Sequence, residues 1–279
     1  MALSIHTNYS SLVTQTNLTK TNNSLSTNQQ RLGTGFRINS AADDAAGLQI
    51  ATRLNAQSRG MEVAIRNTGD AISLLQTAEG AFNEMTDIMQ RMKDLATQAA
   101  NDTNSDNDRT ALQAEYDELG AELDNIIGNT KYAGSALFAA GGKFTAAINF
   151  QIGASASETL SMDASDQLEG VTDAITTIKA ETIDDATNSA SAIGELETAL
   201  NAVGTMRAAL GANINRLNHT ANNLANMKDN TDMSKGRILD ADFAKESANM
   251  SKNSMLMQSG ISMLKQAGQM PGMVMSLLG

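Results

Sequence analysis

The 279-residue sequence contains no cysteine and no tryptophan, one proline and two histidines. Without cysteine there is no disulfide, no thiolate zinc site and no thiol nucleophile. His6 and His219 lie in different segments with no second histidine at ligand spacing, so neither suggests a metal site. Aromatic residues are scarce, three tyrosines and six phenylalanines, which argues against a sheet sandwich because strands favour aromatic and β-branched side chains. No run approaches the ~18 apolar residues of a membrane span. The opening MALSIHTNYSSLVTQTNLTK lacks the basic start and apolar block of a cleavable secretory signal, so a secreted form needs another route. The one proline, Pro271, stands near the end, and little else interrupts helices.

What the sequence does hold is alanine, leucine, isoleucine and methionine, a palette for close helix packing. The formal charge is −11, which argues against a general nucleic-acid binder because phosphate contacts need clustered Lys and Arg. The charge is uneven. Residues 1–40 carry Lys20, Arg31 and Arg37 with no acid, residues 235–279 are also net basic, and the acidic excess lies between.

Leu18, Leu25 and Leu32 recur every seven residues, as do Ile5 and Leu12, with mostly Asn, Ser, Thr and Gln between them. This predicts a helix that is marginal alone and needs a partner. A second stripe, Phe243, Met250, Met257 and Leu264, continues through Pro271 to Leu278 and is broadened by Ile261 and Met275. Many of the methionines fall on this segment, where a flexible thioether adapts to irregular neighbours. The residues alone leave open whether the stripe is an ordinary core face or a binding surface.

Residues 47–99 keep helical spacing, including Ile65, Ile72, Leu75, Phe82, Met85, Met89, Met92 and Leu95, although Gly60, Gly69 and Gly80 weaken it. The polar stretch NDTNSDND at 101–108 ends that helix, and a shorter one is expected over 109–127. Between about 130 and 175 alternation over Phe144–Ile152, and again at Leu160 and Met162, predicts a β-hairpin at about 140–165. Helix returns with the seam Leu196, Leu200, Val203, Leu210, Ile214, Leu217, Ala221 and Leu224, broken at Arg207. The expected fold is mainly α: a long antiparallel helical bundle or coiled-coil rod folded back on itself, with one small hairpin. Folding back pairs 47–127 with 190–230 and the first helix with the last.

Asp43 and Asp44, set between alanine pairs, are an adjacent acidic pair that invites a chemical reading. A catalytic pair needs carboxylates in environments that separate their pKa values. These two are adjacent at an expected helix start, and Ser40-Ala-Ala-Asp43 has the form of a capping box, so helix initiation is preferred over catalysis or metal binding. The Gly-Lys of AAGGKF lacks the following Ser or Thr of a phosphate loop, and GTG at 33–35 lacks the rest of a dinucleotide fingerprint. No motif points to an enzyme, a metal or a cofactor.

RLGTGFRINSAADDAAGLQIATRL at 31–54 closely resembles the N-terminal signature of bacterial flagellins. The resemblance continues in TGDAISLLQTAEGAFNEMTDIMQRMKDLATQAAN at 68–101, LGANINRLNHTANNLANM at 210–227, GRILDADFAKESANMSKNSML at 236–256 and LKQAGQMPGMVMSLLG at 264–279. It implies a short flagellin without the outer insertions common in the family. On that resemblance, 1–36 and 238–279 form an inner-tube domain, 37–46 and 229–237 are spoke or linker segments, and 47–228 form an outer-tube domain. Leu18, Leu25, Leu32, Phe243, Met250, Met257, Ile261, Leu264 and Leu278 would then serve subunit assembly. Arg37, Ser40, Asp43 and Asp44 would form the spoke and helix start, with Arg37 a candidate partner of the carboxylates.

The implied function is that of a structural subunit polymerising into the extracellular flagellar filament for motility, exported by the flagellar type III apparatus without a cleavable signal peptide. The implied partners are other copies of the chain, a secretion chaperone over the C-terminal helix, and hook-associated junction and cap proteins; no cofactor, nucleic acid or membrane is implied. Vertebrate innate immune receptors are further candidates: Arg91, Leu95 and Glu115 match the family's Toll-like-receptor surface, while Lys93, Asp94 and Thr97 depart from its commonest form. Leu277-Leu278 resembles a motif sensed by cytosolic receptors, with Gly279 in place of a frequent arginine. The rival readings are the related hook–filament junction protein and, from another class, a helical protein-binding module using the 196–224 seam.

Overall fold

The computed structural model describes residues 7–278, with the side chains of 270, 271 and 273–278 outside the description. Ile5, His6, Gly279 and the side chains of Pro271, Met275, Leu277 and Leu278 therefore lie outside the described residues. The chain runs as α1 (Tyr9–Thr34), α2 (Ala45–Ala99), α3 (Asp106–Asn129), β1 (Lys131–Tyr132), β2 (Ser135–Ala136), β3 (Ile148–Gln151), β4 (Thr159–Met162), α4 (Ser165–Ala180), α5 (Ala186–Leu239) and α6 (Phe243–Leu278). It divides into two compact units: residues up to Ala56 with those from Asn230 onward, and Gln57–Asp229. The divisions fall inside α2 and α5, so 229–237 is the last part of a helix rather than a separate linker.

In the unit 57–229, α2 buries Met61, Ala64, Thr68, Ala71, Leu75 and Ala78, and the same three-then-four spacing continues through Phe82, Met85, Met89 and Met92. This stripe packs with that of α5 in one apolar core. Met61 and Ala64 meet Leu224, and Lys93 Nζ lies 2.8 Å from Glu197 Oε1, so the two helices run antiparallel. The α5 stripe is shifted from its expected position. Leu196, Val203, Leu210, Leu217 and Leu224 are buried, but they alternate with Ala199 and Met206 rather than with Leu200 and Arg207. Arg207 thus flanks the seam instead of breaking it.

Two expectations for 130–180 change. Phe144 and Ala146 are not in the hairpin: Phe144 sits in a 3-10 turn at Lys143–Thr145, buried beside Phe138, with ring centroids 5.8 Å apart. The hairpin itself pairs Ile148 with Met162 and Phe150 with Leu160. Residues 165–180, beyond the expected hairpin, form α4. Their threonines and glycine make a weak helix, but Leu168, Val171, Ile175 and Ile178 give it one buried stripe, and packing decides. Tyr116 of α3 donates its hydroxyl to Ile178 O at 2.9 Å, satisfying a carbonyl in the last turn of α4.

Candidate assembly site

The other unit is built on α1 and α6, which pack antiparallel. Asn8 caps α1 by accepting from Ser11 N, and its Nδ2 donates to Ala267 O at 2.6 Å, tying the start of α1 to the far part of α6. Leu18, Leu25 and Leu32 are half-buried on one side of the seam, and Met250, Met257 and Leu264 on the other. A Cβ on Gly260 would stand 2.9 Å from Leu18 Cδ1, so this glycine admits the leucine. Phe243 keeps the seven-residue line of α6 but faces Gly35, where α1 has ended, and its ring remains 55% exposed. Ile261 does not broaden the seam: it lies off it and is 53% exposed.

The connections between terminal and long helices pair with each other. Gly35, in the left-handed region at φ 76°, ends α1 and donates its amide to Arg31 O. Arg37 N donates to Leu239 O at 2.6 Å, Ala241 N to Gly35 O at 2.9 Å, and Arg37 Nη2 to Ile238 O at 2.9 Å. Arg37 therefore binds the carbonyl end of α5 rather than Asp43 or Asp44, a favourable use of a cation at a helix C-terminus. Ser40 and Asp43 do not cap α2 as the capping-box pattern suggested. Asp43 Oδ2 accepts from the amides of Asn39 and Ser40 and from the Ser40 hydroxyl, closing a turn before the helix. Those amides first, then the Ser40 hydroxyl and the Arg31 charge, hold its carboxyl below the usual aspartate range. The cap is Asp44, whose Oδ1 accepts from Gly47 N at 2.8 Å.

Several large apolar side chains of this unit find no cover among the described residues. Tyr9, Leu12 and Val13 on α1, and Met255, Leu256 and Met263 on α6, are exposed along with Ile261. Of these, sequence reading had singled out Leu12 and Ile261 alone. The methionine enrichment was a signal for Met255 and Met263 only, and spacing could not say which side of α6 met α1.

In the unit 57–229, Arg91 and Glu115 come together: Nε and Nη2 of the arginine donate to one carboxylate oxygen at 2.9 and 2.7 Å. Leu95 does not join them at the surface, being only 1% exposed within the core. Among the described residues no group of three or more acidic or histidine side chains could hold a metal ion, and no helix is long and apolar enough to cross a membrane.

These features agree with the comparisons to known proteins. Residues 5–143 match the bacterial flagellin N-terminal helical region and residues 193–278 the bacterial flagellin C-terminal helical region. Flagellin A of Vibrio anguillarum is 36% identical over 381 aligned positions, covering 100% of both chains, and polar flagellin C of Vibrio parahaemolyticus is 36% identical over 386, again covering 100% of both. These alignments are longer than the chain, so the relatives carry additional segments. The crystal structure of Bacillus cereus flagellin is similar with 34% identity and a TM-score of 0.50, over 57% of this chain and 88% of that one. The structure of a putative flagellar hook-associated protein from Vibrio parahaemolyticus, 13% identical, shares the fold with a TM-score of 0.58 over 71% of this chain and 100% of that one. With both terminal regions matched and full-length relatives above 30% identity, the chain belongs to the bacterial flagellin family.

Proposed function

We propose that the exposed apolar faces of α1 and α6 are the surface through which this flagellin-family chain, a structural subunit of a flagellar filament, contacts other copies of itself. The observation that carries the reading is the uncovered set on both terminal helices: a chain working alone has no use for Ile261, Met255 and Met263 in water. Contacts between unlike surfaces of identical chains do not close and extend as a helical polymer. Leu18, Leu25, Leu32, Met250, Met257 and Leu264 then act indirectly, by holding the two helices together. Leu278 is proposed for the same surface on the resemblance alone.

Arg37, Ser40, Asp43 and Asp44 fix the passage between terminal and long helices. The protein's work on this reading is mechanical, with no catalytic step. Export by the flagellar type III route, a chaperone over the α6 stripe before assembly, and junction and cap proteins as end partners follow from family resemblance. The chaperone has a physical motive, since an exposed Met/Leu stripe invites premature association. Arg91 and Glu115 remain candidates for an immune-receptor surface; buried Leu95 would have to act by shaping it. The junction-protein reading is less well supported, because the full-length relatives above 30% identity are flagellins.

Negative-stain microscopy of the purified chain in precipitating salt, beside a truncation lacking 1–35 and 240–279, tests the reading. Long uniform tubes from the full chain and none from the truncation are expected. Persistent monomers of the full chain under every salt and seed condition would overturn it.

A further inference from the structure

We propose that a buried polar layer, Asn28 and Arg31 on α1 with Glu246 on α6, selects the register of the two terminal helices along their seam, alongside the hydrogen bonds at its two ends, Asn8 Nδ2 to Ala267 O and Ala241 N to Gly35 O. The rest of the seam is close to translationally symmetric. On α1, Leu18, Leu25 and Leu32 alternate with Thr14, Thr21 and Asn28; on α6, Met250, Met257 and Leu264 alternate with Glu246, Asn253 and Gly260. Sliding one helix past the other by seven residues, about 10 Å at 1.5 Å per residue, again sets leucine against methionine or leucine. The apolar contacts alone fit more than one alignment.

The polar layer fits one. Glu246 is 7% exposed and its Oε1 lies 3.3 Å from Arg31 Nη1. Asn28 is also 7% exposed, and with its side-chain amide turned so that the nitrogen faces the acceptors around it, it can donate to Ser24 O at 3.1 Å and Glu246 Oε2 at 3.3 Å and accept from Asn253 Nδ2 at 3.2 Å. A seven-residue slide in one direction leaves the Glu246 carboxylate beside Thr21 and Ser24, where the nearest cation is the exposed Lys20 instead of Arg31. The opposite slide carries it past Thr34, where α1 ends. Either slide separates Glu246 from the Arg31 guanidinium, and breaking a buried pair is unfavourable. The layer is poorly explained as a source of stability, since a buried ion pair is often matched by apolar replacements and Arg31 Nε is itself buried without an acceptor. A buried polar position in a helical seam is a known means of specifying register. On the assembly reading, on which this consequence rests, register also decides which exposed α1 residues stand level with which exposed α6 residues, and so the shape of the face offered to the next copy.

The absence of native cysteine makes the test clean. Leu18→Cys with Gly260→Cys reports the native register, and Leu18→Cys with Ala267→Cys reports a seven-residue slide. Both pairs are oxidised in the full chain, before and after salt-induced polymerisation. The parent should give the first cross-link in about tenfold excess or more, the preference that about 1.4 kcal/mol between registers supplies. Replacing the layer together, Asn28→Leu with Arg31→Met and Glu246→Leu, should preserve helix content and reduce the native excess at least about threefold. Arg31→Glu alone should reduce it as well, and Arg31→Glu with Glu246→Arg should restore it. An undiminished native excess in the apolar triple variant, or in Arg31→Glu alone, overturns the proposal, as does a parent in which neither pair forms. Failure of the parent to polymerise while its register preference holds counts against the assembly reading and leaves the register proposal standing.

Discussion

At the scale of single residues, the passage into α2 depends on side chains with separate tasks. Asp44 caps the helix, and Gly47 leaves room for that cap: a Cβ there would stand 2.6 Å from Asp44 Oδ2 and 2.8 Å from Ile38 Cδ1. Gly47→Ala is therefore expected to destabilise despite alanine's better helix propensity, by about 1 kcal/mol if the cap alone is lost, read as a lower denaturation midpoint of the full chain. Asp43 gives a pH signature. Its folded pKa is lowered, so its contribution is complete above the unfolded value of about 3.9 and disappears as pH falls through the lower folded value. Asp43→Asn should lower stability at neutral pH and flatten the loss seen on acidification below about pH 4; melting temperatures from pH 7 to pH 2.5 provide the check. The capping-box motif located this corner from the sequence. It named the wrong cap because Ser40 and Asp43 bond to each other equally well in a turn that precedes the helix.

At the scale of elements, packing overrides propensity in both directions. The fold of α2 and α5 was readable because their apolar spacing persists over many turns, yet the partner positions on α5 were misread by one residue. Two adjacent stripes, Leu200 with Ile214 and Ala199 with Met206, both obey the period and both touch the core, and only packing decides that the second is the fully buried one. α4 carries its own helical signal, Leu168, Val171, Ile175 and Ile178 at three-then-four spacing, which lies just beyond the expected hairpin at about 140–165. Met89, fully buried in the central stripe, tests the importance of this core: Met89→Ala should cost roughly 2–5 kcal/mol, seen in denaturant unfolding of the full chain. Filament formation should survive wherever the variant remains folded.

For the molecule as a whole, the two units carry different burdens. The unit 57–229 buries a continuous core, whereas the α1–α6 unit has a narrow seam, a polar layer and an uncovered apolar face. Leu264→Asp, which sets a carboxylate in the seam, is expected to abolish polymerisation while leaving the cooperative unfolding of 57–229 in place. Ile261→Asp should also block tubes but leave the α1–α6 cross-link intact, because Ile261 lies outside the seam. Electron microscopy beside the 18–260 cross-link separates the two effects, and normal tubes from both variants would remove the terminal helices from the assembly site.

The sequence by itself determined that the chain is helical, that its ends pair, and which family it resembles. These follow from local periodicity and from motifs long enough to be specific. Only the tertiary structure decided which of two adjacent stripes on α5 is buried, that Arg37 binds the end of α5 rather than the neighbouring carboxylates, that Leu95 lies inside while Ile261 lies outside, and that Asn28 and Glu246 meet. A helical period fixes which residues share a face, but not which face is covered: that depends on the opposing helix, whose residues lie more than two hundred positions away along the chain for α1 and α6.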